Sequence, residues 1–139
     1  MKHSRFIVKN ISQFAAILAL SSSFFISCAT KVEPLSSEMT SREIVQKAQT
    51  AYDNGNIKAA EIYYRTLLSR FSSDTAIQIE GTYEIAHIYI KQKKYDQAVP
   101  MLKQIIAVYD NVQPGTLPAS YQKLAKNDLA KVPESYLNK

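Results

Sequence analysis

The chain has 139 residues, with 17 basic residues, 12 acidic residues and a formal net charge of +5. Three of the 17 basic residues, Lys2, Arg5 and Lys9, lie in an N-terminal segment ahead of the predicted domain. The 14 that remain leave a charge of about +2, which gives no reason to expect a nucleic-acid partner. Only three glycines, and little alternation of β-branched with polar residues, argue against an all-β fold.

The N-terminal segment has the parts of an export signal. Its basic start precedes an apolar stretch from Ile11 to Ile26, and Ser27 then precedes the single cysteine, Cys28. The run that ends in Cys28 resembles the lipobox of bacterial lipoproteins, with Phe25 where that family usually has leucine. The resemblance implies that residues 1–27 are a lipoprotein signal peptide. It also implies that Cys28 becomes the acylated N-terminus and the membrane anchor.

Two other interpretations of this segment stay open. An uncleaved transmembrane anchor would need about 20 apolar residues, and the stretch is shorter and contains serines. A plain secreted protein could carry Cys28 as a structural residue, but one cysteine cannot form an intramolecular disulfide.

The rest of the chain is predicted to be helical. Residues 28–39 contain Pro34, lack periodicity and are predicted to form a flexible tether. Thr40 and Glu43 form a capping-box pattern that starts the first helix, and Gly55 ends it. Apolar residues at helical spacing predict four further helices, over residues 57–71, 75–91, 95–109 and 118–132. Residues 133–139 are predicted to be a polar, frayed tail.

The first two predicted helix pairs repeat each other. Ile44, Ala48, Ala60, Tyr64 and Leu67 recur 38 residues later as Thr82, Ala86, Ala98, Leu102 and Ile105. A partial third copy consists of Tyr121, Leu124 and Ala125. The small residues let paired helices approach closely, and this pattern resembles the tetratricopeptide repeat over residues 41–132. The resemblance implies an all-α fold, with two helix pairs and a C-terminal capping helix in a domain spanning residues 40–132.

A narrower resemblance is to the BamD-like lipoproteins of the outer-membrane β-barrel assembly machinery. It rests on residues 51–56 (AYDNGN) and 63–71 (YYRTLLSRF), together with the N-terminal cysteine run. Members of that family are usually longer, so this chain would match their N-terminal portion. The resemblance implies a scaffold that helps to fold or insert outer-membrane proteins.

No group of residues in the sequence predicts an enzyme. His87 is the single histidine after the signal segment, and a lone helical histidine is more often structural than catalytic. No cysteine–histidine set suits zinc, and no glycine-rich loop suits phosphate. We therefore expect no catalytic residue, metal site or cofactor.

The predicted functional surface is the concave one, because the first helix of each stacked pair lines it. The residues assigned to this partner-binding groove are Gln49, Tyr52, Asp53, Tyr83, His87, Ile90 and Lys91. Tyrosine suits protein interfaces, since its rigid ring buries a large area. The alternative is that Tyr52 and Tyr83 pack on each other.

The sequence thus predicts a lipid-anchored protein-interaction scaffold of the bacterial cell envelope, on the outer membrane and facing the periplasm. Its expected partners are other envelope proteins, including the β-barrel assembly machinery, with the membrane bound through the lipid. Two alternatives are a ligand-handling or transporter-associated periplasmic protein, which needs an enclosed apolar cavity, and a pilotin-like accessory lipoprotein.

Overall fold

The computed structural model of the protein describes residues 31–138, and Cys28 and residues 1–27 lie outside this range. The described part contains helices and no strands. The helices are α1 (Ser41–Asp53), α2 (Ile57–Arg70), α3 (Thr75–Lys91), α4 (Tyr95–Asp110), α5 (Ala119–Leu129) and α6 (Glu134–Leu137). Within residues 31–138, no helix is long and apolar enough to cross a membrane.

The helices begin where local chemistry satisfies their first backbone N–H groups. At α1 the Thr40 hydroxyl accepts from the Glu43 N–H at 3.3 Å, and the Glu43 carboxylate accepts from the Thr40 N–H at 2.8 Å. This reciprocal pair is the predicted capping box. At α3 the Asp74 carboxylate accepts from the N–H groups of Ala76 and Ile77. Gly55 ends the first hairpin turn at a φ of 75°, a conformation that suits glycine.

Helices α1 to α5 pack side by side in order, α3 also contacts α5, and α6 contacts α4. The recurring positions form the core, which confirms the predicted repeat. Those with no exposed surface are Ile44, Ala48, Ala60, Leu67, Ala86, Ala98, Leu102 and Ala125. Three predicted repeat positions differ: Thr82 and Tyr121 are only half-buried, and Leu124 is 39% exposed. The third copy ends in a single helix, so no partner helix covers the outer side of Leu124 within the described range.

Helices α2 and α3, which join the two repeats, approach each other closely at Gly81. A Cβ atom at this position would lie 2.8 Å from Leu68 Cδ2. The same interface contains an interhelical hydrogen bond, which the Tyr89 hydroxyl donates to Glu61 Oε1 at 2.6 Å. Arg65 donates to the same carboxylate oxygen at 2.8 Å. The first inter-repeat interface therefore combines close packing with directional hydrogen bonds.

The predicted flexible tether is wrong for residues 31–39, which we call the strap. The strap lies along α2 and is held by hydrogen bonds. These join Asn56 Nδ2 to the Lys31 carbonyl (3.1 Å), Tyr63 Oη to the N–H and the carbonyl of Glu33 (3.0 Å each), and Arg70 Nη1 to the Ser36 carbonyl (2.6 Å). Val32, Leu35 and Met39 pack against the core. The segment is therefore ordered by hydrogen bonds to its backbone and by apolar packing at positions that have no helical periodicity.

The C-terminal residues also differ from the prediction of a frayed tail. Helix α5 ends at Leu129, and residues 134–137 form the short helix α6. The ring of Tyr136 lies 5.2 Å from that of Tyr95 at the start of α4. Lys103 donates to the Leu137 carbonyl at 2.6 Å. These contacts hold α6 against α4.

Candidate partner-binding groove

The first helices of the repeats, α1, α3 and α5, share one side of the domain, and we call the surface they form the groove. A cleft of about 320 Å³ separates α1 from α3. Its lining consists of Ser41, Arg42, Val45 and Glu80. On the other side of α3, the helix packs directly against α5. The groove is therefore open between the repeats and closed toward the C-terminal helix.

The structure divides the predicted groove residues into two groups. Gln49, Asp53 and Lys91 are exposed, and Tyr52 and His87 are half-buried. Tyr83 and Ile90 are only 5% and 8% exposed, so their assignment as surface contact residues is wrong. Helix α5 covers Tyr83, and its ring packs on those of Tyr121 at 5.6 Å and His87 at 5.7 Å. Ile90 belongs to the core.

A buried carboxylate, Asp128, connects α5 to α3. It is 1% exposed and is the one buried charged residue in the described range. Its Oδ2 accepts from the Tyr83 hydroxyl at 3.1 Å and lies 2.6 Å from His87 Nδ1. Its Oδ1 accepts from Lys131 Nζ at 2.7 Å. Both oxygens are thus satisfied, as a buried charge requires.

These contacts determine the protonation states of the cluster. Burial alone would raise the pKa of Asp128, but hydrogen bonds from His87, Lys131 and Tyr83 outweigh it and lower the pKa. Because an ionised carboxylate only accepts, the short contact assigns a proton to His87 Nδ1. Burial and the neighbouring Asp128 raise the pKa of Tyr83, which therefore stays a neutral donor.

Further carboxylates lie along the groove, which also carries Arg42 and Lys91. Burial, together with the nearby Glu80 carboxylate on α3, raises the pKa of Tyr121 on α5. Burial also raises the pKa of Glu84, with a further contribution from Glu80. At the floor, burial raises the pKa of Tyr64, and Glu84, Glu80 and Asp53 add to the effect. Negative groups from α1 and α3 therefore act on the same region.

Sequence reasoning missed Asp128. The residue lies three positions after buried Ala125 and seven after Tyr121, which places it on the core-facing side of α5. A charged residue on a core face requires a buried partner. The position of Asp128 on the core face could have indicated a buried carboxylate. Its partners, His87 and Tyr83, could not have been identified in this way because they are 41 and 45 residues away along the chain.

The residues of the groove show no site for a metal ion. Within residues 31–138, no three histidine, cysteine, aspartate or glutamate side chains are grouped to hold one. The carboxylate in contact with His87, that of Asp128, is also bound to Tyr83 and Lys131. The arrangement can present hydrogen-bonding groups and negative charge, which suits recognition.

The comparisons with known proteins agree with this architecture. Residues 80–111, which include most of α3 and all of α4, match the tetratricopeptide repeat family. The chain is also similar to an uncharacterized protein of Treponema pallidum (strain Nichols), with 36% identity over 111 residues. That alignment covers 78% of this chain and 44% of the relative, so the chain spans less than half the length of that protein. No solved structure matches the chain. The predicted all-α, tetratricopeptide-like fold is confirmed, and such repeats typically serve as non-enzymatic scaffolds for protein interactions.

Proposed function

We propose that this protein is a lipid-anchored scaffold that binds other proteins of the bacterial cell envelope. The matched repeat supports a protein-binding role. The export-type segment and the lipobox-like run before Cys28 support the anchor. An anchored helical repeat would hold a partner close to the membrane surface.

The observation that carries the proposal is the groove, which presents tyrosine and carboxylate side chains together. Tyr52 and Asp53 come from α1, and Glu80 and Glu84 come from α3. Half-buried tyrosine with nearby carboxylates fits a segment that brings apolar and cationic side chains together. We therefore expect the partner to present a lysine- or arginine-containing segment to this groove.

The narrower form of the proposal is a role in outer-membrane protein assembly, with the protein facing the periplasm. It is supported by the resemblance of residues 51–56 and 63–71 to BamD-like lipoproteins. In this form the partners include components of the β-barrel assembly machinery.

The ligand-handling alternative receives less support from the shape of the domain. A cleft of about 490 Å³ lies between the strap and α1–α2. Charged side chains of Lys31, Glu33, Glu43 and Lys47 contribute to its lining. A carrier of apolar ligands needs a mostly apolar, enclosed site. The pilotin-like alternative also uses a protein partner and would be recognised by the partner's identity.

Affinity purification from detergent-solubilised membranes tests the proposal. The bait Tyr52→Ala/Asp53→Asn removes a ring and a charge from the groove. The control Gln104→Ala/Asp110→Asn removes an exposed polar side chain and the same charge on α4. We expect the groove variant to lose the wild-type partners and the control to keep them. Retention of every partner by the groove variant, with loss from the α4 variant, would place the binding surface outside the groove and refute the proposal. The melting temperatures of both variants should be measured alongside.

A further inference from the structure

We propose that one end of the helical domain rests on anionic phospholipid headgroups and so orients the groove relative to the membrane. This inference rests on the lipid anchor of the proposed function and deepens it. Three observations carry it: where the strap begins, how lysines are distributed between the two ends of the domain, and the backbone conformation of one of those lysines.

The strap begins at the end of the domain that contains the α1–α2 turn. Asn56, the residue that caps α2, donates to the Lys31 carbonyl at 3.1 Å. From there the strap follows α2 to Arg70, at the opposite end of that helix. Cys28 is three residues before Lys31, a maximal span of about 10 Å. An acyl group on Cys28 would therefore hold this end of the domain close to the bilayer.

The α3–α4 turn lies at the same end as the α1–α2 turn. Lys94, in the turn, has its Nζ 5.5 Å from the centre of the Tyr89 ring. The Tyr89 hydroxyl in turn donates to Glu61, in the second turn of α2. Lys131 and His87 both contact Asp128, which brings the end of α5 beside the C-terminal half of α3. Three chain connections thus share one end.

This end, which we call the basic end, is rich in exposed lysine. Its exposed lysines are Lys31, Lys58, Lys91, Lys93, Lys94 and Lys131. The exposed carboxylates nearby are Glu33, Asp53, Asp96 and Glu134. The opposite end instead carries Glu38, Glu43, Asp74 and Asp110, with Arg42 and Arg70. The domain therefore presents its excess of positive charge on the side where the strap emerges, and anionic lipids attract such clusters.

The backbone of Lys93 gives an independent indication. Lys93 has a φ of 59°, in the left-handed region, and is the one non-glycine residue with positive φ in the described range. The equivalent residue of the first repeat, 38 positions earlier, is Gly55 with a φ of 75°. Glycine accepts this conformation without strain, and lysine does not. A lysine therefore occupies the apex of this exposed turn in a conformation that favours glycine, and its charge lies at the basic end.

Energy transfer on vesicles tests the orientation with the full-length lipidated protein. A donor dye is attached at Gln92→Cys in the basic end or at Ser73→Cys in the opposite end, about 25 Å apart along the 17 residues of α3. Acceptor dyes are placed on lipid headgroups, in phosphatidylcholine vesicles with and without phosphatidylglycerol. We expect stronger transfer from position 92, with a further increase when phosphatidylglycerol is present. High salt should reverse that increase, because it screens exposed charges.

Charge variants identify the groups responsible. Each lysine near an anionic surface contributes about a fivefold preference, so Lys91→Gln/Lys93→Gln should lower the ratio of oriented to reversed molecules roughly 25-fold. The control Arg42→Gln/Lys123→Gln removes the same charge elsewhere and should keep the wild-type ratio. Lys93→Gly should weaken the orientation while its melting temperature equals or exceeds that of the wild type, which separates lost charge from lost folding.

The outcomes separate this inference from the proposed function. In the parent protein Cys28 is the sole cysteine, so dye uptake by the parent shows a free thiol and overturns the anchor together with the orientation. If the parent takes up no dye, equal transfer from both ends overturns the orientation alone. An efficiency of energy transfer that does not change with phosphatidylglycerol or with salt also overturns the orientation.

Discussion

The substitution Asp128→Asn tests whether the buried carboxylate stabilises the junction between α3 and α5. The amide keeps the volume of the side chain but replaces one acceptor oxygen with a donor group. Tyr83, His87 and Lys131 all present donors to the present carboxylate, so one donor would then face another. Lys131 is 60% exposed and can turn to solvent at little cost.

The contact with His87 therefore dominates the expected loss. Hydrogen bonds to a charged group contribute about 1.5–3 kcal/mol, so we expect Asp128→Asn to lower the free energy of unfolding by about 2 kcal/mol. For a domain of this size that corresponds to roughly 10 °C in melting temperature. Circular dichroism during thermal and urea unfolding at pH 7 measures both quantities.

The pH dependence gives a second check on the same residue. Because the pKa of Asp128 is lowered on folding, its contribution is present above the ordinary value of 3.8 and is lost as the pH falls through the folded value. The stability difference between wild type and Asp128→Asn should therefore be full at pH 7 and narrow below about pH 4. Asp110→Asn, an exposed charge on α4, serves as the control. A loss for Asp128→Asn no larger than that of the control, or a difference that does not change with pH, would refute the reasoning.

The remaining predictions concern packing, the anchor and the strap. Ala86→Leu or Ala98→Leu should overpack the core and lower the free energy of unfolding in urea by about 1–3 kcal/mol. The surface control Lys58→Ala should lower it by under about 0.5 kcal/mol. Equal small losses at all three sites would contradict close packing of the small residues. Cys28→Ala should abolish metabolic labelling with radioactive palmitate and release the protein to the soluble fraction, while retention in the membrane would favour the uncleaved anchor. Tyr63→Phe removes both hydrogen bonds to the strap, so limited proteolysis should cut residues 31–39 faster than in wild type, and an unchanged cleavage rate would show that the hydroxyl is dispensable.

The helices could be predicted from the sequence because their causes are local. The capping box of Thr40, the turn at Gly55 and the apolar stripes depend on residues within one or two turns, and the observed bounds follow them. The small residues Ala48 and Ala86 recur at a constant offset, so even the pairing of the repeats was visible. Local chemistry therefore accounts for the all-α fold.

The parts that sequence reasoning missed depend on partners far away in the chain. The hydrogen bonds to the strap use its backbone atoms, which are the same in every sequence. Tyr63, which donates to the Glu33 carbonyl, is 30 residues away along the chain. Tyr83 was predicted at the surface because its helical position faces the first helices. The structure buries it under α5, where Asp128, 45 residues later, accepts a hydrogen bond from its hydroxyl group. The sequence shows that a buried tyrosine hydroxyl will need a hydrogen-bond acceptor, but it does not show which residue is the acceptor.

The tyrosine–carboxylate pairs have a consequence for the shape of the whole stack. Tyr89 pairs with Glu61 between the first and second repeats, and Tyr83 pairs with Asp128 between the second repeat and the last helix. Apolar contacts are non-directional and would tolerate sliding of one helix past another. Hydrogen bonds have a defined length and angle, so each pair fixes the axial register of its interface. The pitch of the superhelix, and with it the spacing of groups that a partner meets, is thus set by tyrosines that the partner never touches.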